Sequence, residues 1–222
     1  SLPDLAATFV EAADAEVPDV MTGKSLLPVL TSDKSGVVDQ SRDAVITGRE
    51  RHVAKARTDW MPYPQRAIRT KNFLYIRNFK PDRWPMGTGP GYGTDAADMP
   101  TFEALREDTF CAFGDLDASP TKAWVALNCE KDPSKRKYFD IAFGLRPAEE
   151  LYDLKVDPDQ VYNVATAERY AEIKNDLSER LMKTLKETGD PRVTGDGTTF
   201  DKPPFATEWN KPTGRKPKPK AK

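Results

Sequence analysis

The sequence is poor in the residues that most often build reactive centres. It has one histidine, His52, and two cysteines, Cys111 and Cys129, in 222 residues. A zinc centre needs His, Cys and carboxylates clustered at ligand spacing, and that clustering is absent. A Ser-His-Asp triad would have a single histidine to draw on, and no G-x-S-x-G elbow to hold its serine. Neither a P-loop nor a G-x-G-x-x-G fingerprint occurs. No apolar run approaches the roughly 18 residues of a membrane span, and no charged start followed by an apolar stretch marks a signal peptide. The net charge of −1 gives no global field to draw in nucleic acid or an anionic membrane. There is no N-x-S/T sequon and no internal repeat. The two cysteines read as small semi-buried thiols, with a single bridge as the alternative.

What is present is a chain rich in loops, with 19 prolines and 38% hydrophobic residues. Leu2, Leu5, Ala6, Phe9, Val10 and Ala13 recur at helical spacing and predict a helix over 2–13. One helix cannot bury such a stripe alone, so it must pack on something. Gly23–Leu30 forms a compact apolar turn. Ala44–Thr47 is a β-branched strand. Residues 66–79 read as a hairpin turning at Lys71-Asn72. Short helices are expected at 99–107, capped by Asp98, at 120–128, opened by Ser119-Pro120, and at 134–143. Glu149–Leu154 reads as a strand, and Asp157-Pro158 breaks the run. A long helix is expected at about 167–187, capped by Thr166, with Tyr170, Ile173, Leu177, Leu181 and Leu185 as its buried stripe. Gly189 suits its C-terminal stop.

Two places carry candidate binding chemistry. The strand at 44–47 runs into Gly48-Arg49-Glu50-Arg51-His52, and strand ends in open sheets are common sites. The loop Lys80-Pro81-Asp82-Arg83-Trp84-Pro85 is long and without period, as functional loops often are. The alternating Gly87, Gly89, Gly91 and Gly93 lie at no strand-to-helix junction and read as loop structure rather than a phosphate cradle. The tail at 203–222 is rich in Pro and Lys and reads as disordered. It lacks the interleaved aromatics of a nucleic-acid platform.

Glu150-Leu151-Tyr152-Asp153-Leu154, Asp157-Pro158 and Asn163-Val164-Ala165 together resemble the C-terminal motif of the formylglycine-dependent sulfatase family. Asp4–Ala13 is similar to that family's D-L-x-P-T helix, with Ala7 at the usual proline. Gly23-Lys24-Ser25-Leu26-Leu27-Pro28 matches its G-x-S-L-x-P turn. Tyr63–Thr70 and Glu187–Pro191 look most like the heparan N-sulfatase (sulfamidase) branch and its bacterial relatives. The resemblance covers about 1–192. It implies an α/β, alkaline-phosphatase-like fold of which this chain is the C-terminal part only, a small antiparallel sheet packed on a long C-terminal helix. Residues 1–60 would be the tail end of the large catalytic domain, 61–192 the C-terminal subdomain, and 193–222 an extended tail.

The family hydrolyses sulfate esters or sulfamates of sulfated glycans, using formylglycine made within C/S-x-P-x-R and a bound Ca2+. Neither Cys111-Ala112-Phe113-Gly114 nor Cys129-Glu130-Lys131-Asp132 fits that motif. The resemblance therefore implies a fragment that binds no cofactor itself, needs an N-terminal catalytic domain, and belongs to a periplasmic or secreted protein. The substrate would be a sulfated carbohydrate, with neither nucleic acid nor membrane as partner. Arginine forks suit sulfate and carboxylate, so Arg49, Arg51, His52, Arg66, Lys80, Arg83 and Trp84 are the candidate substrate contacts, with Trp84 able to stack on a sugar face. Surface salt bridging is the alternative for each. For the whole chain the alternative is a non-catalytic glycan-binding or structural module.

Overall fold

A computed structural model of the chain describes residues 1–90, 98–203 and 205. Gly91, Gly93 and nearly all of the Pro/Lys-rich tail lie outside the described residues. The chain divides into two compact units, one of residues 1–45 with 69–71 and the other of the remainder.

The first unit is stitched by polar groups more than by apolar ones. Its helix α1 (Leu2–Ala12) is followed by a single turn, α2 (Leu27–Leu30). Asp4 joins them. Its carboxylate accepts from Lys24 N at 2.9 Å and pairs with Arg42 Nη1 at 3.2 Å. Thr8 Oγ1 accepts from Leu26 N at 2.8 Å. The backbone hydrogen bond from Lys24 is the largest influence on the Asp4 carboxyl and helps hold it at a pKa of about 2. Gly23 is required here, because a Cβ would lie 2.1 Å from Pro3 O. The apolar stripe of α1, which one helix cannot bury alone, is largely left uncovered within this chain. Ala7 and Thr8 are buried, while Leu2 is 80% and Phe9 69% exposed.

The second unit contains most of a four-stranded sheet of order β1-β2-β3-β4. The strands are β1 (Ala44–Arg49), β2 (Gln65–Thr70), β3 (Phe73–Asn78) and β4 (Glu149–Asp153). Lys71-Asn72 is the two-residue turn of the β2–β3 hairpin, as expected from the sequence. β4 pairs antiparallel with β3, with Tyr75 opposite Leu151 and Ile76 opposite Glu150. Side chains alternate across a strand. One face therefore carries Tyr75 and Leu151, and the other carries Leu74, Ile76, Glu150 and Tyr152.

The long helix α6 (Ala171–Glu187) packs against β3. Leu177, Leu181 and Leu185 are buried, and Tyr75 Oη lies 3.0 Å from Ser178 Oγ. Tyr75 Oη also donates to Glu149 Oε1 at 2.6 Å, so Glu149 serves the scaffold. The expected helix start is corrected. A 3-10 turn occupies Glu168–Tyr170, the α-helix opens at Ala171, and Thr166 does not cap it. The helix stops at Gly189, whose φ of +71° is a left-handed conformation natural to glycine.

A helical cluster forms a second core from α3 (Phe102–Glu107), α4 (Pro120–Cys129) and α5 (Arg136–Phe143). Thr101, not Asp98, caps α3 by accepting from Ala104 N. Ser119 caps α4 as expected. Phe113, Phe139 and Phe143 interlock with Leu105, Ala123, Ala126 and Cys129. Both cysteines are free thiols. Lys122 is 1% exposed, and its Nζ donates to Thr109 O, Phe113 O and Leu116 O at 2.9, 3.3 and 2.9 Å. Gly89 reads as packing, since a Cβ there would lie 2.3 Å from the Phe113 ring.

Candidate functional site

Four successive residues leaving β1 take four directions. Arg49 reaches Pro85 O at 3.2 Å, with its guanidinium 5.8 Å from the centre of the Tyr63 ring. Glu50 enters a group of ion pairs. Arg51 donates to Phe200 O at 2.8 Å and stacks over Phe205, 4.2 Å from the ring centre. His52 is exposed. An extended backbone sends neighbouring side chains to opposite sides, and the departure from regular strand after Arg49 spreads them further.

The ion-pair group alternates arginines and carboxylates. Arg66 donates to Glu50 at 2.7 Å and to Asp190 at 2.7 and 3.2 Å. Arg192 donates to Glu50 at 2.6 Å and to Asp201 at 2.8 Å. Arg83 holds Asp201 through two nitrogens, at 2.8 and 3.3 Å, and also donates to Pro62 O. Three guanidinium charges meet three carboxylates, so the group is neutral. Burial pushes the Asp190 and Asp201 carboxyls up, but hydrogen bonds from Arg66 to Asp190, and from Arg83 and Arg192 to Asp201, bring both below their usual value. The forks of Arg66 and Arg83 are thus filled by carboxylates of this chain. Glu50, Asp190, Arg192 and Asp201 were not singled out from sequence as site residues.

Beside this group, Arg57 is 4% exposed and pairs with Asp115, while Arg57 Nε donates to Trp84 O at 2.6 Å and Nη2 to Pro85 O at 2.7 Å. Those bonds fix the backbone of the loop that carries Lys80, Arg83 and Trp84. Lys80 and Trp84 are themselves half-buried.

The sheet face opposite α6 floors a cavity of about 360 Å3. Leu74, Ile76 and Tyr152 supply the floor, with Arg49, Tyr63, Arg146 and Glu150 among the polar lining. Glu150 is 5% exposed and is bonded by Asn78 Nδ2 at 2.7 Å and Tyr152 Oη at 2.6 Å. It is therefore held as scaffold. Of the candidate contacts, the structure brings Arg49 to this cavity and Arg66 and Arg83 to the ion-pair group, packs Arg51 on Phe205 and leaves His52 exposed.

The formylglycine and Ca2+ implied by the resemblance do not fit the residues present. Among the described residues no group of three or more His, Cys, Asp or Glu is placed to hold a metal. The clustered carboxylates Glu50, Asp190 and Asp201 are each engaged by arginines. Among the described residues, no helix is long and apolar enough to cross a membrane.

No protein-family model matches the chain. It is 27% identical over 192 residues to an ulvan-active sulfatase of Formosa agariphila, covering 84% of the chain and 29% of the relative. It is 28% identical over 183 residues to human N-sulphoglucosamine sulphohydrolase, covering 82% and 30%. The chain is a sulfatase homologue. This homologue spans about 30% of the length of the curated relatives it matches. A solved structure in complex with its substrate, D-glucosamine-2-N,6-O-disulfate, superposes with a TM-score of 0.48 and 20% identity, over 86% of the homologue and 25% of that chain. A 2-O GAG sulfatase superposes with a TM-score of 0.44 and 18% identity, over 85% and 25%.

Proposed function

We propose that this chain is the C-terminal portion of a sulfatase acting on sulfate esters or sulfamates of sulfated glycans. The observation that carries the reading is the extent of the matches. Two sulfatases of different source align with more than four-fifths of the chain while using under a third of their own length. The exposed Leu2 and Phe9 on α1 support it, because an apolar helix face of that kind favours burial against a partner surface. A large catalytic domain is the partner proposed, and export to the periplasm or beyond is the compartment.

In this reading the chain supplies scaffold and cleft residues and leaves nucleophile and Ca2+ to that domain. Arg51 and His52, on the strand end, are the residues we assign to the anionic substrate. Arg49, Lys80 and Trp84 are the further candidate contacts, and Arg66 and Arg83 hold the strand end and the loop in place. The purified 222-residue chain should give no turnover of a chromogenic aryl sulfate. A longer product that includes an upstream C/S-x-P-x-R segment should turn it over, and lose that activity when the Cys or Ser is replaced by Ala. Turnover by the chain alone would overturn the division of labour. An upstream segment with no such motif would overturn the sulfatase assignment.

A further inference from the structure

Lys55, Trp60, Phe205 and Arg51 form one continuous stack. Lys55 Nζ lies 5.7 Å from the centre of the Trp60 ring, and Trp60 and Phe205 stack with their centres 6.1 Å apart. The Arg51 guanidinium then covers Phe205 at 4.2 Å. Three of the four come from the segment between β1 and β2, and Phe205 comes from the far end of the chain. The turn that presents Trp60 is strained. Asp59 and Trp60 have φ of +53° and +60°, a left-handed conformation costly for any residue but glycine. Such strain persists where neighbouring contacts hold it, and it collects at clamps and switch segments.

Phe205 lies at the end of a strap that leaves α6 and returns to the strand end. Gly195 and Gly197, at φ of +71° and +67°, turn it back. Ion pairs anchor its base. Asp201 accepts from Arg83 and Arg192, and Arg192 Nη1 donates to Gly197 O at 2.7 Å. The Arg192 side chain is 1% exposed. The tip is held differently. Phe205, Trp60 and Arg51 are only half-buried. Stacking and cation–π contacts are weaker than charge-assisted hydrogen bonds to carboxylates. The tip can therefore lift while the base stays.

We propose that Phe205 is the movable tip of a strap that masks Arg51. With the tip down, the Phe205 ring covers the guanidinium and Phe200 O takes one of its hydrogens at 2.8 Å. With the tip lifted, that face is open. The strap thus competes with whatever Arg51 would hold. That Arg51 holds an anionic substrate rests on the sulfatase reading; the masking itself stands on this geometry alone.

The test is phenylglyoxal labelling of arginines in the 222-residue chain, with rates read residue by residue by mass spectrometry. The exposed Arg69 gives the reference rate, and Arg192 reports on the base of the strap. In the parent, Arg51 should label about tenfold more slowly than Arg69, as a group open a small fraction of the time would. Phe205→Ala should raise the Arg51 rate about fivefold or more and leave Arg192 protected. Phe205→Tyr, which keeps the ring, should leave Arg51 slow. A parent Arg51 as reactive as Arg69, or an Arg51 rate unmoved by Phe205→Ala, would overturn the proposal. So would Arg192 becoming reactive in Phe205→Ala, because the strap would then come away whole. In the longer enzyme carrying the catalytic domain, Phe205→Ala should lower KM for a sulfated saccharide severalfold with kcat little changed. A raised KM would make Phe205 a support for Arg51 rather than a mask, and would also sink the idea. Labelling as expected with KM unmoved would leave the mask standing and remove Arg51 from the substrate.

Discussion

Arg66 and Asp190 are 124 residues apart in sequence, yet they share two hydrogen bonds that tie β2 to the segment just after α6. The Arg66 side chain is 8% and the Asp190 side chain 14% exposed, so neither is well solvated. Removing Asp190 leaves Arg66 with Glu50 as its remaining carboxylate, so the cost falls below that of stranding a buried charge outright. Asp190→Ala should therefore lower stability by about 1.5–3 kcal/mol in urea denaturation, the range for hydrogen bonds to a charged group. The double substitution with Arg66→Met should be less harmful than the sum of the two singles, because both singles lose the same two hydrogen bonds.

The same carboxylates predict an acid limit. Asp190 and Asp201 have folded pKa values below their unfolded ones, and Asp4 sits at about 2. A group with a depressed folded pKa stabilises fully above its unfolded pKa, near 3.9 for Asp, and loses that contribution as pH falls through the folded value. Urea midpoints should be flat from about pH 7 to pH 5 with respect to these groups and fall steeply below about pH 4. Asp190→Asn should be less stable at pH 7 and show a shallower fall on acidification.

How much of this was legible in advance depended on distance along the chain. The hairpin at Lys71-Asn72, the stop at Gly189 and the Leu177–Leu181–Leu185 stripe are local patterns, and each appears in the structure. Boundaries were less legible. Thr166 offers a capping hydroxyl, but the chain uses a 3-10 turn before α6, and Thr101 caps α3 where Asp98 was expected. The ion-pair group left no local trace, since Glu50 meets Arg192 across 142 positions. Arginines could be flagged as anion binders by type, but only the fold shows that Arg66 and Arg83 already hold carboxylates.

Lys122 offers a different test. A buried ammonium normally seeks a carboxylate, but here three backbone carbonyls receive its three hydrogens and knit the 109–116 loop to α4. Lys122→Met keeps much of the volume and strands those acceptors. The expected loss is about 2–4 kcal/mol. Hydrogen exchange should show protection falling first at Phe113 N, which is bonded to Thr88 O, and at Leu116 N, which is bonded to Phe113 O. A uniform loss of protection across α6 as well would mean that Lys122 does not act locally.

Arg51 and His52 remain the sharpest test of substrate contact. His52 is exposed, so His52→Ala should leave stability within about 0.5 kcal/mol of the parent. Arg51 packs on Phe205 and bonds Phe200 O, so Arg51→Ala should cost some stability as well as function. In the longer enzyme carrying the catalytic domain, each substitution should lower kcat/KM on a sulfated saccharide by about 10–100-fold, the loss expected for one charge-assisted contact. A small aryl sulfate that lacks the sugar should be affected much less, because it cannot reach a residue that reads the glycan. Equal losses on both substrates would point to general damage. An unchanged kcat/KM in both variants would remove these residues from the cleft and leave Arg49 as the strand-end residue still to be tested.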